Sequence, residues 1–550
     1  MDLERGASRQ EEKEEAIDSD DSSSVFSWHH AEGPRSLRRM STSRSAIREV
    51  PDRTLSRMQT IDRSISKLTR RTTTFQHPLT QEKTSTDVLV HFDGPDDPYR
   101  PLNWPFRRKA VITLLYGFLA MTTSFASAVF SAAVGSVAEE FSVSAEVATL
   151  GIALLLFGLG LGPLIFAPAS EVYGRKWCVL LPVFVSACFT FGGAVAKDIQ
   201  TLMICRFFMG FFGSAPVTNT GGVLGDIWAP KSRGLALIGY SIAVVGGPTV
   251  GPLIGSAMTE SYLGWRWTQY LTGIMQMSMV LLGVIFIEET YPATLLTYKA
   301  KRLRIESGNW ALHSEMEEWD VSISELGHKY LVRPIKILCT PIGALMIFYA
   351  SFCYGLIYAC LGAFPIIFED YYGWTPVQAS LPFLAELIGI FGGCAINATN
   401  QNRYARKMQE NGGQAVPEAR LYPMMFGSPL LTAGIFMLAW TAEYRVFWVA
   451  PCIAIILIGT GFFTIFQGAL NYLIDTFLSK SASAIAANTF VRSVLAGSFP
   501  LFLTYQLYGI GVGWGLSVYG FIAAALLPVP YVFFIYGARI RAHGAYNKIE

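Results

Sequence analysis

The chain has 550 residues, of which 51% are hydrophobic and only 15% charged, and its mean hydropathy is +0.36. So little charge cannot cover a soluble surface of this size, which excludes a string of soluble domains and implies a chain that crosses a membrane many times. Long apolar stretches exclude an outer-membrane barrel, and a formal net charge of +2 gives no sign of a nucleic-acid partner.

Residues 1–86 are rich in Ser, Thr, Arg and Glu and hold no apolar run that builds a core, so they are expected to form a disordered tail. The acidic start MDLERGASRQEEKEE is no secretory signal, which leaves insertion to the first span. The basic serine cluster SLRRMSTSRS, 36–45, reads either as a solvated linker or as a site for phosphorylation or anionic lipid. A pre-helix segment, 87–108, leads to apolar stretches long enough to cross a hydrocarbon core, which takes about 20 helical residues. They centre on 109–133, 147–169, 178–195, 202–225, 234–258, 268–288, 341–367, 377–399, 421–440, 446–474, 482–507 and 514–536. The polar stretch within 291–340 separates six spans from six. The expected fold is an all-α membrane protein of twelve transmembrane helices in two pseudo-symmetric halves, 109–290 and 341–537, followed by a tail at 538–550.

Positive charges are retained on the cytoplasmic side. With the N-terminus inside, the inner segments hold Arg107, Arg108, Lys109, Arg175, Lys176, the cluster from Lys299 to Arg304, Arg403, Arg406, Lys407, Arg420, Lys480 and Arg539. The outer loops hold Lys197, Arg266 and Arg445. Both termini and the central loop are therefore expected in the cytoplasm. The eight cysteines form no CxxC pair and read as buried small hydrophobes, with no metal site expected.

A shift of 249 residues aligns Gly210 with Gly459, Asp226 with Asp475 and Ser232 with Ser481. Independently, EVYGRK at 171–176, between spans two and three, has a decayed copy NRYARK at 402–407, between spans eight and nine. Repeated parallel halves around a central cavity are a transporter design. No nucleotide-binding loop is present, so ATP is not the expected energy source.

Three motifs carry chemistry. In the loop after span two, Gly174 permits a tight turn, and Glu171, Arg175 and Asp226 are placed to form a charge cluster across the ends of helices two, three and four. Such a cluster is a latch that biases one state of a carrier, or else its charges set topology alone. In span five, Gly247, Gly251 and Gly255 recur every four residues and open a groove on one helix face, while Pro248 and Pro252 favour a kink. In span four, CRFFMGFFGSAP (205–216) places Arg206 inside the membrane.

These residues resemble the major facilitator superfamily, and within it the fungal twelve-span drug and polyamine proton antiporters. FDGPDDPYRPLNWPFRRK (92–109) resembles the segment those proteins place before span one. ASEVYGRK (169–176) matches the superfamily loop motif with Glu171 in place of the usual Asp. CRFFMGFFGSAP matches the fourth-span arginine motif, and GPTVGPLIGS (247–256) matches the fifth-span antiporter motif with Ser256 in place of the final Gly. The resemblance covers about 88–540. It implies the major facilitator fold, a seam at Gly247, Gly251, Pro252 and Gly255 that closes one state, and a proton-coupling role for Arg206, whose alternative is a static backbone cap. In this architecture Tyr116, Phe125, Phe130, Tyr240, Gln276, Tyr354, Tyr358, Gln467, Asn471 and Asn488 lie in cavity-lining spans and are candidates for binding amphipathic or cationic cargo.

Ionisable groups within spans are costly, so each is a functional candidate. Besides Arg206 these are Glu386 in span eight and Arg492 in span eleven, and no His falls in a span. Glu386, the deepest acid, reads either as the proton carrier or as the salt-bridge partner of Arg492. The expected function is proton-coupled antiport of drugs, toxins or secondary metabolites by alternating access, not an enzyme activity. It needs no cofactor beyond the proton gradient and works as a monomer in the plasma membrane. Alternatives are a vacuolar location, a polyamine cargo, or a non-transporting membrane sensor.

Overall fold

The computed structural model describes residues 88–94, 96–318, 332–477 and 481–542, apart from the side chains of Pro230, Lys231, Ser481, Ala482 and Ala542. The expected disordered tail with its serine cluster, Lys480 and the final residues 543–550 lie outside the described residues.

Eleven helical segments among the described residues are long and apolar enough to cross a membrane. They are α1 (Phe106–Glu140), α2 (Ala145–Tyr173), α3 (Arg175–Ala194), α4 (Ile199–Ile227), α5 (Ser232–Thr259), α6 (Arg266–Phe286), α7 (Pro341–Tyr371), α8 (Pro376–Glu410), α9 (Tyr422–Glu443), α10 (Val449–Phe477) and a last segment, Ser483–Arg541. That last segment has 59 residues, far beyond the ~20 that one crossing needs, and its backbone leaves the helix at Gly511 (φ 81°, ψ 162°). It therefore supplies two spans, α11 (483–510) and α12 (512–541, with a turn at 527–528), and completes the twelve. Two spans change helical form near one end. In α1 the residues Val129–Ala133 tighten to 3₁₀, and in α7 Ile366–Tyr371 widen to a π-helix.

Lipid offers helices no hydrophobic reason to associate, so close packing decides which of them touch. In the first half α2 and α4 cross with bare backbones in contact. A Cβ on Gly158 would stand 2.3 Å from the Phe207 carbonyl oxygen, and one on Gly210 would stand 1.9 Å from that of Leu155. The second half repeats the crossing with α8 and α10. A Cβ on Gly389 would meet the Ile456 carbonyl oxygen at 2.3 Å, and one on Gly459 would meet that of Glu386 at 2.5 Å. The offset that takes Glu171 to Asn402 also takes Gly158 to Gly389 and Leu155 to Glu386, so both sequence alignments describe one repeated helix pair.

The glycine face of α5 packs on α1 of its own half. Cβ atoms on Gly247, Gly251 and Gly255 would lie 2.7, 2.8 and 2.5 Å from backbone atoms of Phe125 and Val129. The helix Pro230–Thr259 runs without interruption through Pro248 and Pro252. The two halves meet along other lines. On the α5/α8 seam a Gly234 Cβ would stand 2.2 Å from the Gln401 amide near one end, and Ser256 donates to Ser380 at 2.9 Å near the other. On the α2/α11 seam Glu146 and Tyr505 are hydrogen-bonded, and Gly160 faces Ser493.

Two expectations are corrected. NRYARK does not turn between spans eight and nine: it lies inside α8, which continues to Glu410. Ala405 stands where its counterpart has Gly174, so nothing there favours a positive φ, and the chain turns instead at Gly412 (φ 65°) and Gly413 (φ 84°). The cysteines are all unpaired, but of the eight Cys353 and Cys360 alone are fully buried, while Cys188 and Cys339 are exposed. Cys188 is exposed on a face of α3, where lipid suits a small apolar group as well as the core does, while Cys339 lies in the turn before α7.

The central stretch is more than a polar connector. Its helix Pro292–Ser307 carries Lys299, whose ammonium is buried against Asp97 (2.7 Å), Asp93 (3.0 Å) and the His91 carbonyl (3.0 Å) of the pre-helix segment. Burial pushes the Asp97 carboxyl up, but Lys299 and the N–H groups of Asp93 and Tyr99 outweigh that and hold it below its ordinary value.

The glycine crossings predict a contrast within one helix. Gly210→Ala should lower the thermal stability of the purified chain by about 1–3 kcal/mol through overpacking. Gly221→Ala, also on α4 but with open space where its Cβ would sit, should be neutral or stabilising by up to ~1 kcal/mol. Thermal unfolding in detergent compares the two directly.

Candidate functional site

Three groups of polar residues stand inside or against the bundle. The first closes the basic end of the first half. Gly174 has φ 90°, a conformation that suits glycine, and a Cβ there would lie 2.5 Å from the Glu289 carboxylate. That carboxylate, buried just past α6, accepts from the backbone N–H of Arg175 (2.8 Å) and Lys176 (3.2 Å) at the start of α3, and from Thr290 (2.9 Å) and Tyr291 (3.0 Å). An acid on the first free N–H groups of a helix satisfies donors that have no partner within the helix. The Arg175 side chain pairs with Asp226 of α4 (Nε–Oδ2 3.2 Å), donates to Ser170 of α2 (2.7 Å) and lies over the Tyr291 ring. Arg175 and Asp226 are thus brought together as expected from their spacing, and Glu171 stands within electrostatic reach of the arginine. Glu289 was not singled out from sequence. The signal available was an acidic pair, Glu288-Glu289, directly after an apolar span.

The second half has a matching pair. Arg420 binds Asp475 of α10 (2.9 Å) and Gln401 of α8 (2.7 Å). The arginine comes from the turn before α9, not from Arg406, which is exposed on the helical extension of α8.

The second group is the isolated charges. Arg206 is fully buried within the first half, donating to the Ala126 carbonyl (3.0 Å) with its guanidinium 3.9 Å from the centre of the Phe130 ring. The carbonyl it caps lies just before α1 tightens to 3₁₀ at Val129, while Nε and Nη2 have no partner. Glu386 is fully buried in α8 at the crossing with α10, near Cys360 of α7, and neither of its carboxyl oxygens has a hydrogen-bond partner. The salt bridge between Glu386 and Arg492 is not formed. Arg492 points instead at the rings of Tyr354 (4.6 Å) on α7 and Phe466 (5.5 Å) on α10.

The third group surrounds Arg492 where the halves meet. Tyr354 and Tyr358 of α7 lie with ring centres 5.3 Å apart, and Tyr354 packs on Phe462 and Phe466 of α10. The first half contributes Ser127 of α1, hydrogen-bonded to the Tyr358 hydroxyl (2.6 Å), and Ser241 of α5, which donates to Gln467 (2.6 Å). Tyr240 lies within electrostatic reach of Arg492 and Tyr354. Asn488 stands one turn before Arg492 on the same face of α11, its Oδ1 without a partner. Of the expected cavity residues, Tyr240, Tyr354, Tyr358, Gln467 and Asn488 are therefore gathered here, and Asn471 continues the Gln467 face one turn on. Phe130 is the seat of Arg206, and Phe125 packs on the glycines of α5. Tyr116 lies in the core of the first half, its hydroxyl without a partner. Gln276 is elsewhere: it accepts from Thr190 (3.0 Å) and donates to Ser186 (3.4 Å), both on α3, which fixes it between α3 and α6.

A family model described as Major Facilitator Superfamily matches residues 116–501, well over half the chain. The chain belongs to the Major Facilitator Superfamily. It is a multi-pass membrane protein of a transporter family, not an enzyme. It is 46% identical over 471 residues to "Efflux pump bik6" of Gibberella fujikuroi, covering 86% of this chain and 97% of that protein. It is 40% identical to "Citrinin biosynthesis cluster MFS transporter mrr1" of Monascus ruber, covering 84% and 94%. Against "Major facilitator superfamily multidrug transporter FLU1" of Candida albicans the identity is 39%, covering 82% and 75%. Among solved structures it resembles the xylose transporter XylE from E. coli in a partially occluded inward open conformation, with TM-score 0.55 and 15% identity over 77% of this chain and 99% of that one. At that identity the likeness concerns the fold alone.

The helix-end acid yields a stability prediction. Glu289→Ala strands buried N–H donors at the start of α3 and should cost about 1–3 kcal/mol. Gly174→Ala, which adds both a strained φ and a collision with Glu289, should be at least as damaging. Thermal unfolding of both variants checks the pair.

Proposed function

We propose that this chain is a proton-coupled efflux carrier that exports small organic molecules by alternating access. The observation that carries the reading is the box of buried side chains around Arg492. Aromatic and polar residues of both halves meet there, between seams that are shut near both ends of α5 and α8. A carrier needs an enclosed site shared by two bodies that can rock against each other. The printed names of the relatives, an efflux pump, a biosynthesis-cluster transporter and a multidrug transporter, support export as the direction and small organic molecules as the cargo.

Coupling is assigned to Glu386. A carboxyl group sealed from water, with no donor and no cation, is tolerated as the neutral acid, and opening of one seam would admit water that can take its proton. Arg206, capped on one side and unpartnered on two nitrogens, is the second candidate. The positive charges at the EVYGRK end support an orientation with that end in the cytoplasm. There Arg175 and Asp226 hold α2, α3 and α4 as one body, with Glu171 in reach, so the latch acts by keeping the half rigid as it rocks. A polyamine cargo is disfavoured because the box presents an arginine and, among the residues described around it, no carboxylate.

The test is transport by the purified full-length chain in proteoliposomes under an imposed pH gradient, with a panel of azoles, cycloheximide, spermidine and dyes. No gradient-driven movement of any compound would overturn the reading. Asp226→Ala should insert normally but turn over several-fold more slowly, since Arg175 loses its buried partner. Glu386→Gln should abolish pH-driven accumulation while leaving substrate binding intact. Normal accumulation by that variant would move the coupling site to Arg206.

A further inference from the structure

Arg492 is 5% exposed, and the Nε of its guanidinium has no hydrogen-bond partner among the described residues. What the protein gives it is aromatic: the Tyr354 and Phe466 faces, with Tyr240 and Tyr358 in electrostatic reach. A buried guanidinium has five donors in a rigid fork, and ring faces satisfy its charge but not those donors. Two further polar atoms at the same seam are also unspent, Gln467 Nε2, a donor, and Asn488 Oδ1, an acceptor. A buried cation with open donors beside flat rings is complementary to a planar molecule that carries a negative charge on its edge.

We infer that the box around Arg492 binds aromatic weak acids as their anions, the carboxylate or phenolate pairing with Arg492 and the ring lying among Tyr354, Tyr358 and Phe466. This rests on the export reading above and names the cargo class of that site. An anionic oxygen accepts the guanidinium donors side by side, and the Gln467 amide N–H₂ offers a further donor. The ring packs against the faces of Tyr354 and Phe466, whose centres lie 5.7 Å apart at a tilt of 32°, while Asn488 accepts from a hydroxyl on the cargo. A cationic cargo of the same shape would meet Arg492 as a like charge in a site with little water to screen it.

The experiment uses the full-length chain in detergent and three probes of one shape and different charge: 2-naphthoate, 2-naphthamide and 2-naphthylmethylammonium. Binding is read by calorimetry. The expected order is naphthoate first, with affinity about tenfold or more above the ammonium probe. Arg492→Gln should erase that preference, and Arg492→Lys should keep the charge preference at reduced affinity because the two-pronged geometry is lost. The ranking by the unaltered chain decides the matter even if a variant fails to fold. Equal binding of all three, tighter binding of the ammonium probe, no binding of naphthoate, or a preference that survives Arg492→Gln would each overturn the anion assignment. Export of dyes or azoles in the proteoliposome assay would still stand in those cases, so the two readings fail separately.

Discussion

A backbone amide or a charged side chain inside hydrocarbon has no water to fall back on, and every feature of this molecule answers to that constraint. The spans are helical because a helix pairs its own amides, and they associate through bare backbone because lipid gives apolar side chains no reason to prefer one another. Gly158 with Gly210, and Gly389 with Gly459, are where that association is closest. Polar side chains in the bundle fall into two kinds. Some are fully partnered and hold structure together, such as Glu289 on the start of α3 and Arg175 on Asp226. Others keep polar atoms without a hydrogen-bond partner among the described residues, both carboxyl oxygens of Glu386 and Nε of Arg492, and groups of that kind are retained at a cost that structure alone does not explain.

The two halves are built alike where they pack and differ where they carry chemistry. The same crossing that places Leu155 against α4 in the first half places Glu386 against α10 in the second. Gly174 turns the chain in one half, while Ala405 lets the helix run on in the other, and the arginine that meets the α10 acid is then supplied by Arg420 from the far side of the turn. A symmetric frame supplies two bodies with similar ends, which suits rocking about a central site. Asymmetric residues put a carboxylic acid and the Arg492 box on the second half, with the first half contributing mainly hydroxyls, Ser127 and Ser241.

The clasp between Lys299 and Asp97 extends the same logic to the basic end. The stretch that joins the halves is anchored by its own helix, Pro292–Ser307, to the segment before α1.

The sequence by itself determined the number of spans, their pairing into two halves and the cluster of charge at one end, because each of these depends on local composition. About 20 apolar residues are long enough to cross, glycine at every fourth position gives a bare face, and Arg175 and Asp226 lie at span ends that the repeat already aligned. Glu386, Arg206 and Arg492 were visible for the same reason, as charges where charge is costly. Their partners were decided by tertiary structure. Whether Glu386 meets Arg492 depends on the rotation of α8 and α11 about their axes, and Arg492 is turned to Tyr354 of α7 and Phe466 of α10. Gln276 and Gln467 look alike in sequence, yet one is bound by α3 inside its half and the other by Ser241 across the halves. Glu289 escaped notice because its work is on backbone N–H groups of a helix more than a hundred residues earlier in the chain, a contact that leaves no pattern in side-chain spacing.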